Sequence, residues 1–215
     1  KNARAGVKPR RFIPDVAAGV AEALFSLAAA TNGDQTTDIA LMYGQLALSF
    51  GGDEPVTNTL LGDIFGELKI YDEANAAYDR VPATSVLRNN ADIEIATNYE
   101  RMDKTEAAEK QLNQVLGRSP DDLTALMTLG NVYRNNENFD KAAAVYDRAV
   151  AQVAKPGKAN WRLFYYRGIA RERLKRWPEA EADFRKALEL SPDEPPVLNY
   201  LGYSMIEKKI NLDEA

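Results

Sequence analysis

No cysteine and no histidine occur anywhere in the 215 residues. Together the two absences exclude disulfides, thiol nucleophiles, imidazole bases, Ser/His/Asp triads and Cys/His zinc sites. A chain without cysteine suits a reducing cytosol and equally a periplasmic protein that folds without disulfides, so composition leaves the compartment open. Long apolar runs are missing too. VAAGVAEALFSLAAA, over 16–30, carries Glu22 and falls short of the roughly 20 apolar residues that cross a bilayer core. No β-like alternation competes with helical periodicity, and no P-loop, G-x-S-x-G or EF-hand spacing is found.

What is present is an ordinary globular composition, 45% hydrophobic and 27% charged, with a formal net charge of −5. The charge is uneven. Residues 1–11 carry Lys1, Arg4, Lys8, Arg10 and Arg11 with no acid, and residues 155–176 carry eight basic side chains against the single Glu172. The rest of the chain is therefore strongly acidic. A start at Lys1 and an end at NLDEA, which reads as the opening of a helix, predict a piece of a longer protein, with any signal peptide or lipid-attachment site upstream.

Self-similarity organises the whole chain. Segments starting at 21, 55, 89 and 123 are each 34 residues apart, and two more start at 161 and 195, with the surplus near KPGK at 155–158. Position 8 of each unit is small: Ala28, Gly62, Ala96, Gly130, Gly168, Gly202. Position 20 is alanine in the first five, position 24 is bulky except at Gly44, and position 27 is small or β-branched. Positions 4, 7, 8 and 11 form one helical stripe and 20, 24 and 27 a second, so each unit predicts two helices, A and B. Small residues at 8 and 20 let the backbones approach, and Pro120 and Pro192 stop helix B. The doublets Asp121–Asp122 and Asp193–Glu194 then fall where helix-starting carboxylates favour the N-terminal dipole.

LMTLGNVYRNNENFDKAAAVYDRAV and YYRGIARERLKRWPEAEADFRKALELSP resemble the tetratricopeptide repeat (TPR) family in register. The resemblance covers 21–215, as five full repeats and half of a sixth. It implies an all-α, right-handed superhelical solenoid of helix-turn-helix repeats, preceded by a basic segment and lead-in over 1–20. Because one repeat cannot bury its face alone, 21–215 is expected to be a single solenoid. Such arrays are binding scaffolds rather than enzymes, with no cofactor or metal, whose A helices line a concave groove for a peptide or partner protein.

Positions 2, 5, 9 and 12 of helix A lie on the side away from its packing stripe. From the third unit onward they nominate Thr97, Glu100, Met127, Asn131, Arg134, Arg162, Tyr165, Ile169, Asn199 and Tyr203 as partner-binding residues, a mix of hydrogen-bonding and apolar side chains suited to an extended peptide. The carboxylate clamp of chaperone-binding members is not expected: only Asn131 matches its pattern, and Met127, Tyr166, Pro196 and Tyr200 depart from it. The C-terminal third is similar to TPR proteins of proteobacterial cell envelopes, some of them outer-membrane lipoproteins. That similarity implies a periplasmic adaptor, lipid-anchored from upstream, that brings an envelope protease or cell-wall hydrolase to its partners.

Two other classes fit a helical solenoid. One is an assembly module that oligomerises through its ends. The other is an RNA-binding solenoid using the 155–176 island; helical geometry scatters that island's bases, and the negative net charge opposes it, so no nucleic-acid partner is expected. Arg167 and Arg171 stand at positions 7 and 11, where the family usually has Leu and Tyr. The favoured reading pairs them with Asp147 and Asp183; the other makes a basic docking patch.

Overall fold

A computed structural model of the chain describes residue 13 and residues 15–33, 36–52 and 54–213. The basic segment 1–11 lies outside them. The chain divides into two compact units, residues 1–103 and 104–215. The first holds α1 (Val16–Thr31), α2 (Thr37–Ser49), α3 (Glu54–Glu67), α4 (Tyr71–Asp79) and α5 (Arg88–Arg101). The second holds α6 (Thr105–Arg118), α7 (Leu123–Asn135), α8 (Phe139–Gln152), α9 (Trp161–Arg173), α10 (Trp177–Leu190) and α11 (Pro195–Lys208), with a 3-10 turn at Lys158–Asn160. No strand forms among the described residues. Within each unit every helix packs on the next in sequence, and α7 also reaches α9. α1 begins inside the expected lead-in, where Asp15 Oδ1 accepts from Ala18 N at 2.8 Å and caps the first turn.

The B-helix stripe is buried as the repeat predicts. Ala40, Ala74, Ala108, Ala142 and Ala180 are all 0% exposed, and Tyr78, Leu112, Tyr146 and Phe184 are at most 2% exposed. Each ring lies over the small residue sixteen positions earlier: a Cβ on Gly168 would stand 2.6 Å from Phe184 Cε1, and Gly62 and Gly130 would collide likewise with Tyr78 and Tyr146. In the first repeat the pair is inverted. Ala28 takes the small position, and Gly44 replaces the ring, with Leu61 from the next repeat filling the space. Helix A carries a second buried stripe that periodicity alone did not isolate. Ala91, Ala125, Leu163 and Val197 at position 3, with Ile64, Asn98, Val132, Ala170 and Ser204 at position 10, are all buried, because a helix inside the stack is covered on two sides. Ile93, at position 5 of the third repeat on the side away from the packing stripe, is also buried, at 3% exposure.

The turns hold two differences from the sequence reading. Pro82 ends α4 after nine residues, whereas α6, α8 and α10 run for fourteen. Of the four doublet carboxylates, Asp122 caps its helix, accepting from Ala125 N at 3.0 Å. Glu194 instead accepts from Ser191 Oγ at 2.7 Å, Asp193 is left-handed at φ 65°, and Asp121 makes no cap.

Candidate partner-binding sites

In the second unit α7 presents Met127, Asn131 and Arg134, α9 presents Arg162, Tyr165 and Ile169, and α11 presents Asn199 and Tyr203. Tyr146 rises from α8 across Gly130 and donates its hydroxyl proton to Asn131 Oδ1 at 2.8 Å. Burial holds that phenol well above its usual pKa, with the Arg134 charge opposing. Arg134 lies 4.7 Å from the centre of the Tyr166 ring, and its buried Nε has no hydrogen-bond partner. An arginine donor without an acceptor is costly when dry, so a carbonyl or carboxylate that reaches it on a shift of the side chain relieves that cost. Arg162 is exposed and stacks on Trp161 at 4.6 Å.

Tyr165 and Ile169 have a second role. Tyr165 is half-buried among Trp161, Tyr166, Phe184 and Tyr200, with ring centres 5.4 to 6.2 Å apart, and Ile169 packs against the same core. They shape the floor of this face more than they project from it. Asn199 is exposed and Tyr203 is 66% exposed, on a helix that also leaves Leu198 and Ile206 about half exposed. Tyr200 donates to Glu172, which also pairs with Lys208 at 2.9 Å; burial and that carboxylate push the Tyr200 phenol up to about 12.

The basic island is paired internally at its two unusual residues. Arg167 Nε and Nη2 grip Asp183 at 2.9 and 2.6 Å, Arg171 Nη1 reaches the same carboxylate at 2.8 Å, and both arginines reach Asp147 Oδ1 at 3.0 and 2.8 Å. The Asp183 side chain is 4% exposed, so two guanidinium groups compensate the burial of its charge. Pairing, the favoured sequence reading, is what the structure has. Arg173 lies over Phe139, and Arg176 is 3.7 Å from Asp140, so the remaining bases do not gather on one stripe either.

In the first unit Thr97 and Glu100 sit half-buried on α5, and the Thr97 hydroxyl bonds back to the Ile93 carbonyl at 3.0 Å. The larger feature there was not among the nominated residues. A cavity of about 600 Å³ is lined by Asn32, Asp63, Gly66, Glu67, Lys69, Tyr71, Tyr78, Glu94, Asn98 and Arg101. Tyr78 donates to Asp63 Oδ1 at 2.6 Å, the counterpart of Tyr146 on Asn131. Burial, then the Glu67 charge, raises the Asp63 pKa; burial, then the Asp63 charge, raises that of Glu94, with Arg101 opposing. The signal in the sequence was position 12: Gly66 here, where the fourth repeat has Arg134.

Paired helices repeating every 34 residues, with rings seated on glycines and polar side chains left along helix A, define a helical-repeat interaction scaffold. The tetratricopeptide repeat model matches residues 93–159 and 129–195. Among solved structures, YrrB, titled as a TPR protein with an unusual peptide-binding site, is 18% identical at a TM-score of 0.62, covering 93% of this chain and 95% of that one. MamA from Desulfovibrio magneticus RS-1 is 18% identical at 0.66, covering 84% and 99%. Residues 93–195 belong to the tetratricopeptide repeat family, and the solved structures share the fold of the chain. Human protein O-mannosyl-transferase TMTC1 is 26% identical over 142 residues, 66% of this chain. The chain spans only 16% of that relative's length, so the activity in its name does not carry over. No helix among the described residues is long and apolar enough to cross a membrane.

Proposed function

We propose that the chain is a non-catalytic adaptor whose second unit holds an extended segment of a partner protein, and that it works in a bacterial periplasm, tethered from upstream, alongside an envelope protease or cell-wall hydrolase. The observation that carries the peptide-holding role is Arg134. Its Nε is buried with no hydrogen-bond partner while the guanidinium rests on Tyr166 and bonds the Tyr146 hydroxyl, so one of its donors is left without an acceptor. A peptide carbonyl or carboxylate supplies that acceptor, and the exposed Arg162 and Tyr203 border the same helix-A positions. The existence of a peptide-binding relative, YrrB, supports a peptide ligand. The periplasmic setting rests on the C-terminal sequence resemblance.

Affinity capture from envelope extract, with the parent chain and Arg134→Ala side by side, tests the site. The parent should retain a partner that Arg134→Ala loses while its helical circular dichroism is unchanged. Equal retention by both removes Arg134 and the peptide-holding face. Cell fractionation of the full-length protein tests the compartment: recovery in the cytosol overturns the periplasmic role.

A further inference from the structure

The first-unit cavity has the opposite chemistry from the Arg134 face. Asp63, Glu67 and Glu94 supply three carboxylates against the two cations of the lining, Lys69 and Arg101. Arg101 acts on Glu94 through space, yet among the described residues neither Asp63 nor Glu94 forms an ion pair with a lysine or arginine. Two amide oxygens add to the surplus. Asn98, 2% exposed, donates its Nδ2 to Asn75 Oδ1 at 2.9 Å, and its own Oδ1 has no donor among the described residues. That oxygen lies on the cavity side, 3.9 Å from where a Cβ on Gly66 would stand. Asn32 donates its Nδ2 to Glu67 at 3.1 Å, which fixes the amide orientation and leaves its Oδ1 buried with no partner. A buried acceptor without a donor, as at Asn32 Oδ1, is costly and rare in native proteins, while Asn98 Oδ1 stays open to the cavity. Gly66 leaves open the space that an arginine side chain takes at the same position of the fourth repeat.

No group of three or more carboxylates among the described residues is arranged to hold a metal ion, so acceptors spread around a space of this size call for an organic cation with several donors. A guanidinium offers five in a plane, and an ammonium three. We propose that this cavity receives an arginine side chain from a basic segment of a partner protein, with Asp63 and Glu94 taking its charge and the Asn32 and Asn98 Oδ1 atoms taking its remaining protons. Burial already makes both carboxylates reluctant to ionise, so a cation entering between them relieves a cost that the empty site carries. The site is independent of the Arg134 face, and the two units accept segments of opposite character.

The probe is a fluorescein-labelled tetra-arginine peptide titrated into the whole chain at low salt, with tetralysine and tetraglutamate as companions. Asp63→Asn with Glu94→Gln should weaken tetra-arginine binding about tenfold or more. Gly66→Arg, which puts a guanidinium of the chain's own into the space, should do the same. A charge-matched pair on exposed carboxylates outside the cavity, Glu73→Gln with Glu106→Gln, should change it by less than about threefold. Tetralysine should bind more weakly than tetra-arginine and tetraglutamate not measurably. Equal weakening by the two charge-matched pairs, or no binding by the parent, overturns the proposal. Arg134→Ala must leave tetra-arginine binding unchanged, which separates failure here from failure of the peptide-holding face.

Discussion

Tyr78 and Tyr146 do the same packing in the two units and point their hydroxyls at different chemistry. Each ring crosses a glycine on helix A, and each hydroxyl donates to the next residue of that helix, at 2.6 Å to Asp63 and 2.8 Å to Asn131. Three residues on, the first unit has Gly66 and the second has Arg134. One polar position and one small-to-large change convert an acceptor-lined cavity into a donor resting on an aromatic ring. The repeat fixes where a side chain sits; the residue placed there sets what it attracts. The Arg167, Arg171, Asp147 and Asp183 cluster shows the limit of reading charge by count, because its basic residues are spent on the chain's own acids.

The shared part of that comparison breaks most heavily. Tyr78→Ala and Tyr146→Ala each remove a ring at most 2% exposed and leave a void beside a glycine that cannot fill it, so each should cost about 3–5 kcal/mol. Both tryptophans, Trp161 and Trp177, lie in the second unit, so denaturant unfolding followed by their fluorescence reports Tyr146→Ala, and circular dichroism reports both variants. A loss well under that range for one ring alone would mean that the packing is not shared.

The part that differs is smaller and carries a pH signature. With its folded-state pKa raised above the usual 3.8, Asp63 binds a proton more tightly in the native than in the unfolded chain. Its contribution to stability therefore falls as pH rises from about 4 through the folded value, and Glu94, raised from 4.5, acts in the same direction. Asp63→Asn keeps an acceptor for Tyr78 and removes the charge. It should raise the unfolding free energy read by urea at pH 7 modestly, by less than about 1 kcal/mol for a carboxylate this open, and leave it nearly unchanged near pH 3. A variant less stable than the parent at pH 7 would show that Asp63 is favoured as an anion, and would set the first unit's cavity apart from an acceptor-rich site in want of a cation.

The helical pairs and the alanine and ring positions were legible because each follows from spacing along one helix, and the pairing of Arg167 with Asp183 because the two sit on the A and B helices of one repeat. The cavity was not, because Asn32, Asp63 and Glu94 come from three repeats and converge only when α1, α3 and α5 are placed. Tyr165 was misweighted for a related reason: its position faces the groove, while the rings of Phe184 and Tyr200 that hold it lie on later helices. The A-to-B turn was hidden differently. Lys69, Asp103, Glu137, Lys175 and Lys209, all at position 15, are left-handed with φ between 55° and 61°, yet none is the glycine or asparagine that announces such a turn.

That turn supplies the smallest test, and it returns to the two units. A left-handed residue with a Cβ carries a penalty of about 1–2 kcal/mol, and glycine escapes it while giving back about 0.5–1 kcal/mol of chain entropy. Glu137→Gly should therefore stabilise the second unit by a few tenths to about 1 kcal/mol, read as a higher denaturation midpoint by tryptophan fluorescence. Lys69 occupies the same turn in the first unit, but it also lines the cavity that holds Asp63 and Glu94. Lys69→Gly gains the same backbone relief and removes a positive charge from the lining of that cavity, so it should stabilise less than Glu137→Gly at pH 7, and the gap should close near pH 3 as the carboxylates take up protons. Equal gains at both pH values would mean that Lys69 contributes nothing to the cavity's electrostatics and that the two turns differ only in name.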